Sequence, residues 1–428
     1  MPITKHVRNA HYDSSQSLPG VNRLSRLSSV GITARVNDEP IVVNRPRPIL
    51  TDRRSRARRT TGSGIAIAFV MMVIGVSATG FLALSAGQGE RAPNLARVQY
   101  TAHDPIIIYS EADLVSSDGV TGGTGTAEDP FVISGWEITT DEIGGCIFLW
   151  RTTSHYVIRD CYIHTPNAVC IEIQEAPNGT IENCLIDEGN IGIFVTGCPN
   201  TNVTGNTVMN MEELGICVAG SEWVNVTGNT ATNNENFGFA LEFVGHTAFT
   251  NNFATGNNGT GVDVFNVANL TLTGNNVSEN DKGLFVAYVD NTVVSGNNIT
   301  SNTGCGLNIT GSTDVTIHHN NFIGNGVQAD QDNASTGIAW DAGYPSGGNF
   351  WSDYAGVDAF AGPDQDIPGS DGLGDTPQVI SAIATDRYPL MLGYLPPVPE
   401  FGVQATILAS ALVAIWAVVR SRRDSLLD

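Results

Sequence analysis

The sequence predicts an all-β chain wound into a parallel β-helix, and three observations carry that reading. A glycine recurs at Gly192, Gly215, Gly238, Gly261, Gly283 and Gly306, in steps of 23, 23, 23, 22 and 23 residues. An asparagine recurs at Asn206, Asn229, Asn252, Asn275, Asn297 and Asn320 with the same five steps. After each glycine, apolar residues alternate with others: Ile193/Val195, Ile216/Val218, Phe239/Leu241, Val262/Val264, Leu284/Val286 and Leu307/Ile309. Alternation with period two signals a strand, and two columns held in phase over six repeats mark an internal repeat. A shorter alternation flanks the asparagines (Val203 and Val208, Leu272 and Val277, Val294 and Ile299), so a repeat reads as short strands joined by tight turns. A helix–turn–helix repeat would need a 3.6-residue period and would not carry this density of Gly and Asn. Each repeat of 22–23 residues is therefore one coil, stacked on the next at the ~4.8 Å spacing of paired strands.

Each recurring residue has a physical task. The glycine opens a strand where the chain either turns with positive φ or passes close to other backbone. The asparagines form an internal ladder, each amide bonding its copies above and below, since a buried amide is costly without such partners. Traced backwards, the asparagine column passes into Cys184 and Cys161 and the glycine column into Ala168 and Gly145, which starts the solenoid near Phe131. Cys161 and Cys184 then stand on neighbouring rungs, either bridged or as buried free thiols. The other cysteines, Cys146, Cys170, Cys198, Cys217 and Cys305, bring the total to an odd seven, and no CxxC or Cys/His spacing for zinc occurs.

In chain order, six segments follow. Residues 1–62 hold 12 basic and 4 acidic side chains and read as a disordered cytoplasmic leader. Residues 63–87 contain Ile65–Ala86, 22 residues without a charge behind Arg53, Arg54, Arg56, Arg58 and Arg59. That run is long enough to span a bilayer with the leader inside; the alternative is a signal peptide ending at the small residues Ser85-Ala86-Gly87. Residues 88–130 form an N-terminal cap, 131–325 the repeats and 326–395 a C-terminal cap. Residues 396–428 carry a second apolar run, Val403–Val419, before Arg420, Arg422 and Arg423. The β-helix is thus expected to be flanked by transmembrane helices, anchored in the cell membrane by one or both, with the bulk of the chain extracellular. The formal net charge is −22, but residues 87–400 alone hold 37 acidic and 6 basic side chains, net −31. Such a domain repels nucleic acid, since it has almost no cations to displace phosphate counterions, and it suits a salty exterior or bound cations.

Two resemblances follow from these motifs. The pattern N-x-x-x-G-I-x-V followed by x-V-T-G-N-x-V, over about 131–325, resembles the right-handed β-helix of NosD and the carbohydrate-binding/sugar-hydrolase (CASH) class. That class implies a fold and not one activity, since the architecture hosts lyases, hydrolases, epimerases, adhesins and NosD itself. The C-terminal order Pro396-Pro397-Val398-Pro399-Glu400-Phe401-Gly402, apolar run, arginines, resembles the PEF-type sorting signals of archaeal surface proteins. It implies an archaeosortase as a partner; a plain single-pass anchor is the other reading. Residues 340–377 resemble the C-terminal module of archaeal NosD-like surface proteins.

Candidate chemistry is sparse. Asp364, Asp366, Asp371 and Asp375, with Gly372 and Gly374 between them, offer hard oxygens at short spacing for Ca²⁺, or form a solvated acidic turn. Glu242 and Asp263 project outward from adjacent coils, offset by two positions, as a candidate catalytic pair or as solvated surface acids. No cation stands near them to favour a polyuronate substrate. Copper, which the NosD resemblance implies, would need clustered His or Met; His318 and His319 are expected to diverge as strand neighbours, which argues against it. Five aromatics, Trp340, Tyr344, Phe350, Trp351 and Tyr354, either cover the last coil or form a sugar-stacking platform. N-x-[ST] sequons at Asn178, Asn202, Asn225, Asn258, Asn269, Asn276, Asn298, Asn308 and Asn333 are candidate N-glycan sites. The combined expectation is a surface-anchored β-helix that binds glycan or another envelope component, or acts structurally. A polysaccharide lyase or hydrolase is the first alternative and a NosD-like copper maturation protein the second.

Overall fold

The computed structural model describes residues 100–116, 119–140 and 145–395. The leader, both apolar runs and the tail expected at 1–62, 63–87 and 396–428 lie outside the described residues. Among the described residues, no helix is long and apolar enough to cross a membrane.

The described chain is a parallel β-solenoid with three faces. The first is a nine-stranded sheet from Phe131–Ser134 to Thr313–His318. The second and third belong to one nineteen-stranded sheet, because the strands Leu185–Thr196 and Thr207–Ala219 round the corner between them unbroken. A representative coil runs through Asn225–Thr227, Thr230–Thr232 and Phe237–Glu242, one strand per face. Inward residues stack in columns, such as Ile181, Val203, Val226, Phe249, Leu272, Val294 and Ile317 on the first face, all fully buried. With parallel register from coil to coil, like sits on like, which is why alternation was readable along the chain.

The expected asparagine ladder is present at the first turn. Asn229 Nδ2 donates to Asn252 Oδ1 at 3.1 Å, and Asn252 Nδ2 to Asn275 Oδ1 at 3.2 Å. Each Oδ1 also accepts the preceding rung's backbone N–H, and each Nδ2 also donates to a core carbonyl, as Asn252 does to Val226 O at 2.8 Å. The ladder runs one rung past Asn320 to Asn349, whose N–H is taken by the carboxylate of Asp386 at 2.7 Å. At its other end Cys184 and Cys161 replace asparagine, and their thiols face backbone carbonyls. All seven cysteines are free thiols. Burial pushes Cys146 up to about 12 and Cys198 and Cys305 up to about 11, so these thiols stay protonated and unreactive.

A second ladder occupies the next turn: Asn234, Asn257, Asn280, Asn302 and Asn325, joined by Nδ2-to-Oδ1 bonds of 2.8–3.0 Å. It ends on Gln328, which accepts from Asn325 Nδ2 at 2.9 Å. This ladder explains the glycine column. A Cβ built on Gly238 would lie 2.6 Å from Gly261 O and 2.8 Å from Asn257 Nδ2, and the other members are similarly crowded. These glycines have ordinary negative-side backbone and serve close approach, the second of the two roles expected for them.

Stacking reaches beyond 131–325 at both ends. Thr101–Ala102 and Ile106–Ile108 pair with Trp136–Thr139 and Ile147–Trp150, and the short helix Glu111–Ser116 carries the fully buried Leu114. The Glu111 carboxylate holds Thr152 Oγ1, the Thr153 N–H at 3.0 Å and Ser154 Oγ, tying that helix to the coil. At the other end, Val327–Gln331 and Phe350–Trp351 still pair with the last coils. Trp351 stacks on Phe322 at 4.4 Å, and Trp340 donates to Gln331 Oε1 at 2.7 Å. Both tryptophans are at most 2% exposed, so they close the core and do not form a sugar platform.

Candidate functional site

The acidic loop of the C-terminal cap spends its carboxylates on its own backbone. Asp375 accepts the N–H groups of Ala359 and Phe360, and Asp371 those of Gly362 and Leu373. Asp358, which sequence reading passed over, accepts from Ser370 Oγ and from the N–H groups of Asp371 and Gly372; these bonds hold its carboxyl below the usual range. Asp364 and Asp366 are exposed. Among the described residues no three His, Cys, Asp or Glu side chains form a cluster able to hold a metal ion. The loop gathers hard carboxylate oxygens, with Asp371 and Asp375 held in place by backbone N–H groups.

Glu242 and Asp263 lie on adjacent coils with the expected offset: Ala240 is the register partner of Asp263 and Phe265 that of Glu242. Asp263 is only 1% exposed, contrary to the expectation of a solvated surface acid. The Cys217 thiol, fully buried one coil from Ala240, is pushed up first by burial and then by the charges of Glu242 and Asp263. A carboxylate so enclosed does not meet a dissolved polymer.

His318 and His319 do not diverge. The strand ends at His318, and His319 takes φ 55°, which swings its ring back to an Nδ1···Nδ1 distance of 2.6 Å. Burial, then His319, hold His318 below the ordinary histidine range. His319 Nε2 lies 2.8 Å from Ser346 O. Of the nine sequon asparagines, none is buried.

The feature with the clearest outward purpose lies at the third turn, between the third face and the next first face. Two positions per coil here take left-handed backbone. Residues at the first are Arg151, Glu175, Gly197, Gly220, Phe243, Asn266, Tyr288 and Gly311; at the second, Asn178, Asn200, Trp223, His246, Asn269, Asn291, Asp314 and Gly337. Gly, Asn and Asp tolerate this conformation, whereas bulky side chains there are outliers. Yet Trp223, Phe243, His246 and Tyr288 occupy it, in neighbouring coils, with φ of 51–59°. Trp223, Phe243 and Tyr288 are 57%, 44% and 40% exposed. Trp223 stacks flat on His246 at 4.1 Å, and Phe243, Phe265 and Tyr288 run in contact at 5.7 and 5.5 Å. The Tyr288 ring lies where a Cβ on Gly311 would stand, 2.7 Å away, so the next coil leaves room for it. Sequence reading missed this edge because its members fall in two columns filled mostly by Gly, Asn and Asp, with Arg151 and Glu175 in the first coils. The signal was there once the coils are phased: an aromatic wherever a small turn residue is the norm.

A polar cleft of about 510 Å³ opens at the first coil, lined by Ala102, His103, Asp104, Glu137 and Thr139.

Comparison with known proteins matches this architecture. Residues 131–254 match the family model of the right-handed β-helix region, and residues 214–356 that of the periplasmic copper-binding protein NosD. No curated protein matches the sequence. Solved structures of similar fold include the A-module of the mannuronan C-5 epimerase AlgE4 of Azotobacter vinelandii, at 17% identity and TM-score 0.41, over 48% of this chain and 64% of that one. Another is tailspike protein 2 of the Escherichia coli O157:H7 bacteriophage CAB120, at 12% identity and TM-score 0.45, over 63% and 42%. A third is the DFA-IIIase of Arthrobacter chlorophenolicus A6, at 11% and 0.38, over 58% and 81%. The chain thus spans less than two thirds of the epimerase module and of the tailspike. The stacked coils and the two family models together show a right-handed β-helix fold, with similarity to NosD over residues 214–356.

Proposed function

We propose that the chain is a surface-displayed β-helix that binds glycan of the cell envelope through the exposed aromatic edge at its third turn. The observation that carries this is the set of strained aromatics. Holding Trp223, Phe243 and Tyr288 in left-handed backbone costs on the order of 1 kcal/mol each, and none of the three is repaid by core burial. Flat apolar rings beside polar groups are what the C–H faces of sugars stack against. The apolar segments 63–87 and 396–428 serve as anchors that keep the edge outside the membrane, the second with or without an archaeosortase. In this reading the ladders supply stiffness and the acidic surface supplies solubility in salt.

The full chain on an array of neutral and acidic glycans is expected to retain neutral ones, and Trp223→Ala to weaken retention at least about tenfold, in line with loss of a stacking contact worth roughly 1.5 kcal/mol. An array with no bound glycan of any kind would falsify the proposal. Turnover is not part of it: new reducing ends or unsaturated uronates, lost in Asp263→Asn, would bring the lyase or hydrolase reading forward. One observation favours the copper reading, the juxtaposed His318 and His319. Two imidazoles are a thin ligand set, and a 1:1 Cu²⁺ complex abolished by His319→Gln would be needed to raise it.

A further inference from the structure

The spacing of the aromatic edge says more than that a sugar binds. Resting on the glycan reading, we infer that the edge takes an unbranched, uncharged polysaccharide of equatorially linked pyranoses, lying parallel to the solenoid axis with about one sugar per coil. Phe265 stands edge-on to both of its neighbours, at 75° to Phe243 and 77° to Tyr288. The two exposed rings of this row are therefore Phe243 and Tyr288, two coils apart, or roughly 10 Å at the strand spacing. A flat, equatorially linked ribbon turns over at each linkage, so it presents the same sugar face at every second residue. Its disaccharide repeat is thus matched to two coils, and the same polymer meets Phe243 and Tyr288 in the same way. Trp223 and His246 form a second row one turn position away, which widens the platform at the lower-numbered end.

The flanking groups decide the charge of the ligand. Exposed Glu222, Asp290, Asn266 and Asn291 border the aromatic rows and suit hydroxyl groups as acceptors and amide donors. No Lys or Arg occurs between Arg159 and Lys282, nor between Lys282 and Arg387. A polyuronate or sulfated chain laid along the aromatic stretch, from Trp223 to Asn291, would meet carboxylates there, while Arg151, four coils before Phe243, is already paired with Glu175, so like-charge repulsion disfavours anionic polymers.

The test uses the full chain with cello-, manno- and β-1,4-linked oligomannuronate series of two to six sugars, the last differing from the manno series in charge and not in linkage. Affinity for one of the neutral series is expected to rise at least tenfold from dimer to hexamer, and the oligomannuronates not to bind. Phe243→Gly and Tyr288→Gly are each expected to cut hexamer affinity at least tenfold and to flatten the length dependence. Both variants stay folded, because Gly220 and Gly311 already hold this position in other coils with the same left-handed backbone. Hexamer binding no tighter than dimer binding, or unchanged in both variants, overturns the axial arrangement while leaving glycan binding intact. Binding of the uronates in place of the neutral series overturns the substrate class. Absence of binding across every series overturns the glycan reading and this inference together.

Discussion

Replacing Asn252 with leucine is expected to destabilise the solenoid by about 3 kcal/mol or more. The side chain is 1% exposed and serves four partners: it accepts from the N–H and Nδ2 of Asn229 and donates to Val226 O and Asn275 Oδ1. Leucine is close in size, so little of the loss is a cavity. What remains is a buried N–H, a buried amide proton and a buried carbonyl without partners, at roughly 1–3 kcal/mol each. The rungs on either side are not independent, because every amide in the column is polarised by the next. Denaturant unfolding of the variant checks this, and an unchanged midpoint would remove the ladder from the stability of the fold. Asn257→Leu, in the second ladder, is expected to behave alike.

Acidification from pH 7 to 4 is expected to stabilise the native chain relative to Asp386→Asn by up to about 3 kcal/mol. Asp386 is fully buried, and burial pushes its carboxyl up to about 6 from 3.8, despite bonds from the Asn349 N–H, the Trp351 indole and the Tyr388 N–H. The folded chain therefore holds a proton that the unfolded chain has released between those two values. The contribution is fully present below about 3.8 and is lost as pH rises through about 6, at about 1.4 kcal/mol per pH unit of difference. Asp341 works in the opposite sense. Burial opposes its ionisation, but the Arg387 guanidinium and backbone N–H groups outweigh that and lower its carboxyl, so its contribution is lost as pH falls. Comparing wild type with Asp386→Asn at both pH values cancels that background. Equal pH slopes in the two proteins would mean that Asp386 ionises as an exposed carboxylate does. Asp386 carries this weight because it closes the first ladder: without it the Asn349 N–H ends in the core unpaired.

By itself the sequence determined the coil, its strands and the first ladder. Parallel stacking in register sets each residue against its own copy one coil on, so local periodicity and three-dimensional neighbourhood carry the same information. That is why Asn206 to Asn320 could be read as a bonded column, and why Glu242 and Asp263 came out on adjacent coils. The second ladder was equally periodic, at Asn234, Asn257, Asn280, Asn302 and Asn325, but asparagine is so common in the turns that this column does not stand out until the glycines beside it are seen to make room for it. Tertiary structure alone decided what depends on backbone handedness and on closure of the ends. His318 and His319 meet because one of them is left-handed, a property the strand pattern does not encode. Trp340 and Trp351 are buried because the last coil has no following coil to cover it, and the same residues on an open surface would have been a platform. Phe243, Tyr288 and Trp223 are the reverse case: their apolar side chains suggest core, and only the left-handed turn, which points the side chain away from the stack, turns them into an exposed edge.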